Sequence, residues 1–319
     1  MLMHARESIF LLILSSLLFA AEASLGPNER CTKALVNPTN PDDFSCVCNS
    51  TVCHELSSFD PWSLRKQLVM FTTSKEGRRF EKSIWNFVSK KSDDLRAQMG
   101  DVVDNELTIH RTREDSNQVI IKGFEGGLTE SSVIDLNLLD EDVRIKLINA
   151  SSPRVFTVMG QACDSQSAEC GQSNYGSWER ADHYGRDIIQ SLLNNASSRT
   201  DLNLVLNMDA DPETQNFADF PISIDVSKQE LYLQPLYYVL AHFDKHVKNG
   251  MIMDESKLRN DNLEVASFRR AKEGKKTIVI RNSGEGDVEV KVVDVDCHGE
   301  TVIVPIDAYS LNTLAYTCG

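Results

Sequence analysis

Val119-Ile120-Ile121-Lys122-Gly123-Phe124-Glu125-Gly126-Gly127 is the stretch on which the middle of this chain turns. Three β-branched residues in a row read as a strand buried on both faces, since a strand with one wet face alternates apolar and polar positions. The run stops at a glycine-rich turn. A helix is expected next, with Thr129 as its cap and Val133, Ile134, Leu136 and Leu138 apolar. Asp140 is placed to cap a second helix carrying Val143 and Leu147. The same order then recurs. The apolar run Val155-Phe156-Thr157-Val158-Met159-Gly160 ends at Gln161-Ala162-Cys163, and an amphipathic helix is expected from Trp178 to Leu193, with Trp178, Ala181, Gly185, Ile188, Ile189 and Leu192 on one face. Leu202-Asn203-Leu204-Val205-Leu206 reads as a third strand, and Pro235 suits the first turn of a helix with Leu236, Val239, Leu240 and Phe243 on its apolar side. Strand alternating with helix is the pattern of a parallel sheet.

Away from this middle the period changes. Leu263–Phe268, Thr277–Arg281, Val288–Val295, Thr301–Val304 and Ser310–Tyr316 read as five short strands, and the turn Ser283-Gly284-Glu285-Gly286-Asp287 fits an antiparallel sandwich. On the N-terminal side, Phe80–Ile84 and Glu106–His110 are strand-like. The expected class is α+β and multidomain. The expected divisions are 1–23 as a signal peptide, 24–118 as a cysteine-rich N-terminal region, 119–249 as the strand–helix region and 250–319 as a C-terminal sandwich.

The first of these rests on Arg6, an apolar core of 13 residues from Ile9 to Ala21, and the small-x-small site Ala21-Glu22-Ala23. No later segment approaches the ~18 consecutive apolar residues that a membrane-crossing helix needs. A soluble chain made in the secretory pathway, lysosomal or secreted, is expected. A net charge of −14 argues against binding a nucleic-acid backbone. Cys31, Cys46, Cys48 and Cys53 crowd together, and four cysteines allow three pairings. In an exported chain this cluster, with its Cys-x-Cys step, reads as disulfides rather than a metal site. Cys163, Cys170, Cys297 and Cys318 remain; a Cys297–Cys318 bond would staple the C-terminal strands, though spacing alone does not pair them. Asn49, Asn149 and Asn195 head glycosylation sequons.

Several of these segments together resemble the acid β-glucosidases, or lysosomal glucosylceramidases, of glycoside hydrolase family 30. The similar stretches are Cys46-Val47-Cys48-Asn49-Ser50-Thr51-Val52-Cys53, Ser58-Phe59-Asp60-Pro61, Gly77-Arg78-Arg79-Phe80-Glu81, Lys122-Gly123-Phe124-Glu125-Gly126-Gly127-Leu128-Thr129-Glu130, Gly176-Ser177-Trp178-Glu179-Arg180, Asn216-Phe217-Ala218-Asp219 and Gln234-Pro235-Leu236-Tyr237-Tyr238. The resemblance implies a (β/α)8 TIM barrel beside a β-sandwich and disulfides Cys31–Cys46 and Cys48–Cys53. It further implies retaining hydrolysis of the β-glucosidic bond of glucosylceramide, without cofactor or metal, assisted by a lipid-presenting activator protein.

That chemistry needs two carboxylates about 5–5.5 Å apart, one as nucleophile and one as acid/base. The family carries its acid/base in an Asn-Glu-Pro motif, which is absent from this chain. Its nucleophile motif, Ser-Glu-Ala-Cys-like, corresponds to Gly160-Gln161-Ala162-Cys163, with an amide where the carboxylate belongs. Among the residues that would line the sugar pocket, Glu130 stands for an aspartate, Leu202 for a tryptophan, and Asp201 is kept. Between Ile148 and Arg154 the chain passes from the first barrel strand directly to the seventh. A full barrel takes ~250 residues, and only strands one, seven and eight are accounted for. These are neighbours in a closed barrel, so they are expected to pair as seven-eight-one in an open sheet.

Other candidates read more plainly. His242-Phe243-Asp244-Lys245-His246 has half of a zinc motif's spacing but lacks its glutamate and a third ligand, so a partly exposed helix is expected. Glu125, Glu130, Asp164 and Glu169 read as solvated loop charges, and Arg78-Arg79 as a strand-edge pair. Three functions follow. The first is a catalytically inactive glucosylceramidase-like protein, the second a piece of a longer active enzyme, and the third a secreted β-sandwich protein that binds a glycolipid or a protein.

Overall fold

The computed structural model describes residues 31–35, 37, 40–89, 103–112, 118–126, 138–150, 159–160, 175–201, 204–208 and 220–318. They form three sheets and three α-helices. The cysteine-rich segment supplies β1 (Lys33–Ala34) and β2 (Ser45–Cys48). Every residue of β2 is buried, because the strand lies between β1 and β12 (Glu230–Leu233). β11 (Ile222–Asp225) and β10 (Val205–Asn207) complete this five-stranded sheet, the last pair parallel. Disulfides Cys31–Cys46 and Cys48–Cys53 tie β2 to its flanks, and Cys297–Cys318 closes the C-terminal end. Cys163 and Cys170 lie outside the described residues.

The sandwich is the largest unit. One layer is β4 (Glu81–Asn86), β3 (Gln67–Ser74), β18 (Ser310–Thr317), β15 (Lys275–Asn282) and β14 (Leu263–Arg270), all antiparallel. The other is β6 (Asn105–His110), β16 (Val288–Asp294), β17 (Glu300–Ile306) and β5 (Val88–Ser89), with β6 and β16 parallel. β13 (Ile252–Lys257) belongs to both. Ile252–Asp254 pairs with β14 and Glu255–Lys257 with β6, so one strand turns the corner between layers. Leu68, Met70, Leu107, Ile109, Val290, Val304 and Leu314 fill the space between them. Gly284 sits in the expected turn, which carries the chain across from β15 to β16 rather than closing a hairpin.

The first layer is apolar on its outer face as well, where two helices cover it. α2 (Trp178–Leu193) starts at Ser177, whose hydroxyl accepts from the Arg180 N–H, and ends at Asn194, followed by Asn195 in a left-handed conformation. α3 (Pro235–His246) opens on its proline. The helices cross at Gly185, where an added Cβ would stand 3.4 Å from Val239 Cγ1. α1 (Glu141–Ala150) follows Asp140, whose carbonyl accepts from the Val143 and Arg144 N–H groups. Apart from Leu138, an exposed turn residue, the expected helix after Thr129 lies outside the described residues.

Three parallel strands complete the fold: β7 (Gly123–Gly126), β8 (Met159–Gly160) and β9 (Ser198–Asp201), in the order β7-β9-β8. In family order this is one-eight-seven, a partial barrel packed against a sandwich. Two expectations are corrected here. The strand begins at Gly123, after the apolar run. Ile121 is buried, but Ile120 is 53% exposed, since Val119–Ile121 runs alongside Met251–Met253 as a tie between barrel and sandwich. Leu202–Leu206 is not one strand either. The barrel strand ends at Asp201, and Val205–Asn207 pairs with β11 in another sheet. No described helix is long and apolar enough to cross a membrane.

Candidate functional site

The level ends of the three parallel strands frame the site. Gly126 pairs in register with Asp201, and Asp201 with Gly160. In a (β/α)8 barrel the reacting groups stand on these C-terminal ends. Along the chain, Gln161 directly follows Gly160 and Leu202 follows Asp201. Gln161, Leu202, Glu130, Asp164 and Glu169 lie outside the described residues. The backbones of Asp201 and Glu125 are placed, the latter opposite Thr200. The described strand ends thus bring one carboxylate-bearing residue, Asp201, level with two glycines.

Packing beneath these ends is dense. Phe124 is fully buried against Phe243, with ring centroids 5.5 Å apart. Arg199 is buried beneath α2, donating to Asp187 at 2.5 Å with its guanidinium 5.1 Å from the Tyr184 ring. It fixes β9 to the helix that precedes it. Nothing in the sequence pattern had singled out Arg199 or Tyr184, since an arginine between two serine- and threonine-bearing positions carries no burial signal.

The histidine pair departs from expectation. His242 and His246 are buried, not partly exposed, because α3 lies between two sheets and has almost no wet face. His242 bridges two hydroxyls, with Nδ1 2.8 Å from Thr313 Oγ1 and Nε2 2.8 Å from Thr73 Oγ1. Burial pushes its pKa down to about 3 and that of His246 well below the ordinary imidazole value. Both are neutral packing groups. Their neighbours are rings: Phe71 lies 4.4 Å from His246, and Phe80 lies 4.8 Å from His242.

The arginine pair divides. Arg78 is exposed and pairs with Asp307 at 3.2 Å. Arg79 is 1% exposed, so it is no strand-edge charge. It donates to the Ser74 and Arg78 carbonyls and stacks 4.2 Å from the Phe44 ring, and desolvation lowers its pKa to about 10. This guanidinium staples the cysteine-rich sheet to β3.

The sequon residues differ in setting. Asn49 Oδ1 accepts from the Thr51 and Val52 N–H groups within the Cys48–Cys53 loop, and its amide nitrogen donates to Glu230 at 3.3 Å. Asn195 is exposed beyond α2, and Asn149 lies in the last turn of α1.

Residues 121–247 match the glycosyl hydrolase family 30 TIM-barrel domain. Among curated relatives, the chain is 30% identical over 167 residues to the lysosomal acid glucosylceramidase of Mus musculus, covering 50% of this chain and 31% of that protein. It spans about a third of the length of the curated relatives it matches. Solved structures include SrfJ from Salmonella typhimurium, with TM-score 0.43 and 21% identity over 50% of this chain and 34% of that one. Another is the endo-β1,6-glucanase BT3312, with TM-score 0.42 and 15% identity over 62% of this chain and 41% of that one. With its barrel strands paired in family order and its sequence matched across them, the chain carries, over residues 121–247, a divergent glycosyl hydrolase family 30 TIM-barrel domain.

Proposed function

We propose that this chain is a glucosylceramidase-like protein of sphingolipid metabolism that does not itself hydrolyse glycosidic bonds. The observation that carries the reading is Gln161, which follows the last residue of β8 at the position corresponding to the family's nucleophile. An amide cannot displace a glycosidic oxygen, because it lacks the anionic lone pair that forms the covalent glycosyl intermediate. The Asn-Glu-Pro motif that would bring the acid/base is absent from the sequence. Asp201 then remains as a sugar-contacting group of an incomplete pocket, with Glu130 and Leu202 as further contacts. Glucosylceramide or a related glycolipid is the ligand class, and a lipid-presenting activator protein is a candidate partner. The chain is placed in the secretory pathway, lysosomal or secreted, with a signal peptide over residues 1–23 and glycans on Asn49, Asn149 and Asn195.

The share of the mouse protein that is covered, 31%, favours one other reading, in which this sequence is a piece of a longer enzyme. The transcript across Asn149–Arg154 separates the two, because a longer enzyme requires the missing strands with an Asn-Glu-Pro there, and turnover of a fluorogenic β-glucoside by the secreted protein tests the inactivity. No turnover is expected, and Gln161→Glu is expected to leave it absent, because one carboxylate without its acid/base does not complete the reaction. Turnover that a mechanism-based β-glucosidase inhibitor abolishes would overturn the inactive reading.

A further inference from the structure

A second concavity lies at the other end of the barrel remnant. It has a volume of about 400 Å³ and is bordered by Ser57–Trp62 and by residues around the end of α3 and the start of β13. Met251 lines it, and the Met251 carbonyl accepts from the Ile121 N–H just before β7 begins. The cavity therefore opens at the entry side of β7, away from Gly126 and Asp201.

Its charge is opposite to that of the chain. Lys245, Lys248, Arg270 and Lys275 line it, with Asp60 as the acidic residue among the lining groups. Glu273 joins the rim by pairing with Lys275 at 2.8 Å and Arg270 at 3.3 Å. Cations still outnumber anions, in a protein with 47 acidic and 33 basic residues. Arg270 is held in place by donating Nη2 to the Asn249 carbonyl at 2.8 Å, and Lys248 donates to the Asp244 carbonyl. Lys245 is half-buried and makes no ion pair or hydrogen bond among the described residues. Burial lowers its pKa, with Asp244 opposing the shift. One wall is aromatic: Phe59 and Trp62 border the space, with Lys275 Nζ 5.4 Å from the Trp62 ring.

An ammonium without an ion pair among the described residues, half out of water, beside a guanidinium anchored by a carbonyl and an aromatic wall is a receptor for an oxyanion. We propose that this cavity binds a phosphate monoester, with Lys245, Lys275 and Arg270 on the phosphate oxygens and Trp62 against the organic portion. Basic residues at a helix end also complement the helix dipole, and that role accounts for Lys245. It does not account for Arg270 and Lys275, which arrive from β14 and β15.

The test is calorimetric titration of the secreted protein with inorganic phosphate and glycerol 3-phosphate, beside sedimentation with phosphatidylcholine vesicles with and without phosphatidic acid. The two arms distinguish a soluble ester from a lipid headgroup. Saturable binding to either phosphate source is expected, weakening with ionic strength and at least tenfold weaker in Lys245→Gln and Lys275→Gln. Lys257→Gln, an exposed change elsewhere, is expected to leave it unaltered. Melting curves verify folding, and Lys275→Gln at the rim carries the test if Lys245→Gln misfolds. Failure to bind both phosphate sources, binding indifferent to the pocket lysines, or equal weakening by Lys257→Gln overturns the proposal.

Discussion

His242 shows how one buried side chain sets a pH limit on this protein. Its pKa lies at about 3 when folded, because burial disfavours the imidazolium, against an ordinary value near 6.5 when unfolded. As pH falls below 6.5 the unfolded chain takes up a proton that the folded chain refuses. The stability contribution is therefore complete above that value and is lost progressively down towards pH 3. At ~1.4 kcal/mol per unit, the loss between pH 7 and pH 5 is about 2 kcal/mol. Urea denaturation at the two pH values is expected to show at least that loss, since buried His246 adds to it in the same direction, and His242→Gln, which keeps a polar bridge between Thr73 and Thr313 without titrating, is expected to shrink it by about 2 kcal/mol. Identical pH dependence in both proteins would refute the assignment. Spacing in the sequence identified the two histidines as sharing a helix face. Their burial was not legible, because it comes from Thr73, Thr313 and Phe71 on strands distant in the chain. The same holds for Arg79, whose partners are carbonyls and a ring that no local pattern announces.

Elements were legible where their signal was local. The five C-terminal strands, α2 with its apolar face, and the proline start of α3 follow from periodicity and capping chemistry alone. β3 escaped notice because Gln67–Ser74 is buried almost throughout and ends in the polar run Thr72-Thr73-Ser74, whose hydroxyl partners lie on other elements where they exist. Thr72, for example, donates to Asn312 across to β18 at 2.8 Å. The 202–206 stretch misled because two short strands of different sheets follow each other with a shared apolar composition. One clamp holds elements together in a way that can be tested. Arg281 on β15 reaches Asp182 on α2 through both Nε and Nη2, and Glu264 on β14 at 2.6 Å. Truncating the guanidinium leaves two mostly buried carboxylates side by side. Arg281→Met is expected to destabilise the protein by roughly 3 kcal/mol in chemical denaturation. A change below about 0.5 kcal/mol, the range of ordinary surface substitutions, would mean that solvent screens the clamp.

At the scale of the whole molecule, the seven-eight-one order of barrel strands was anticipated from the family resemblance together with the missing middle of the sequence. Among the described residues, a sheet ordered β7-β9-β8 has β7 and β8 at its edges, and open edges lower local stability and invite association. The sandwich has more strands, longer ladders and a disulfide at its C-terminal end. Hydrogen exchange followed by mass spectrometry is expected to find the amides of 123–126 and 198–201 opening faster than those of 263–282 and 310–317. Equal protection in both sets would show that the three strands unfold only with the sandwich.

The outer face of the sandwich's first layer carries one further consequence. Val69, Phe71, Ala266, Phe268, Val279 and Leu311 turn away from the sandwich core and are covered by α2 and α3. At ~1.5–3 kcal/mol per large apolar side chain kept from water, that roof is worth roughly 10 kcal/mol, comparable to the whole net stability of a typical domain. The final two strand–helix units of the barrel are therefore indispensable to the sandwich whether or not any sugar is ever cleaved. In a lineage relieved of catalysis, every deletion that strips this layer is purged for misfolding, while deletions elsewhere in the barrel escape that particular penalty. Selection for solubility alone then preserves α2 and α3, the helices that roof the sandwich.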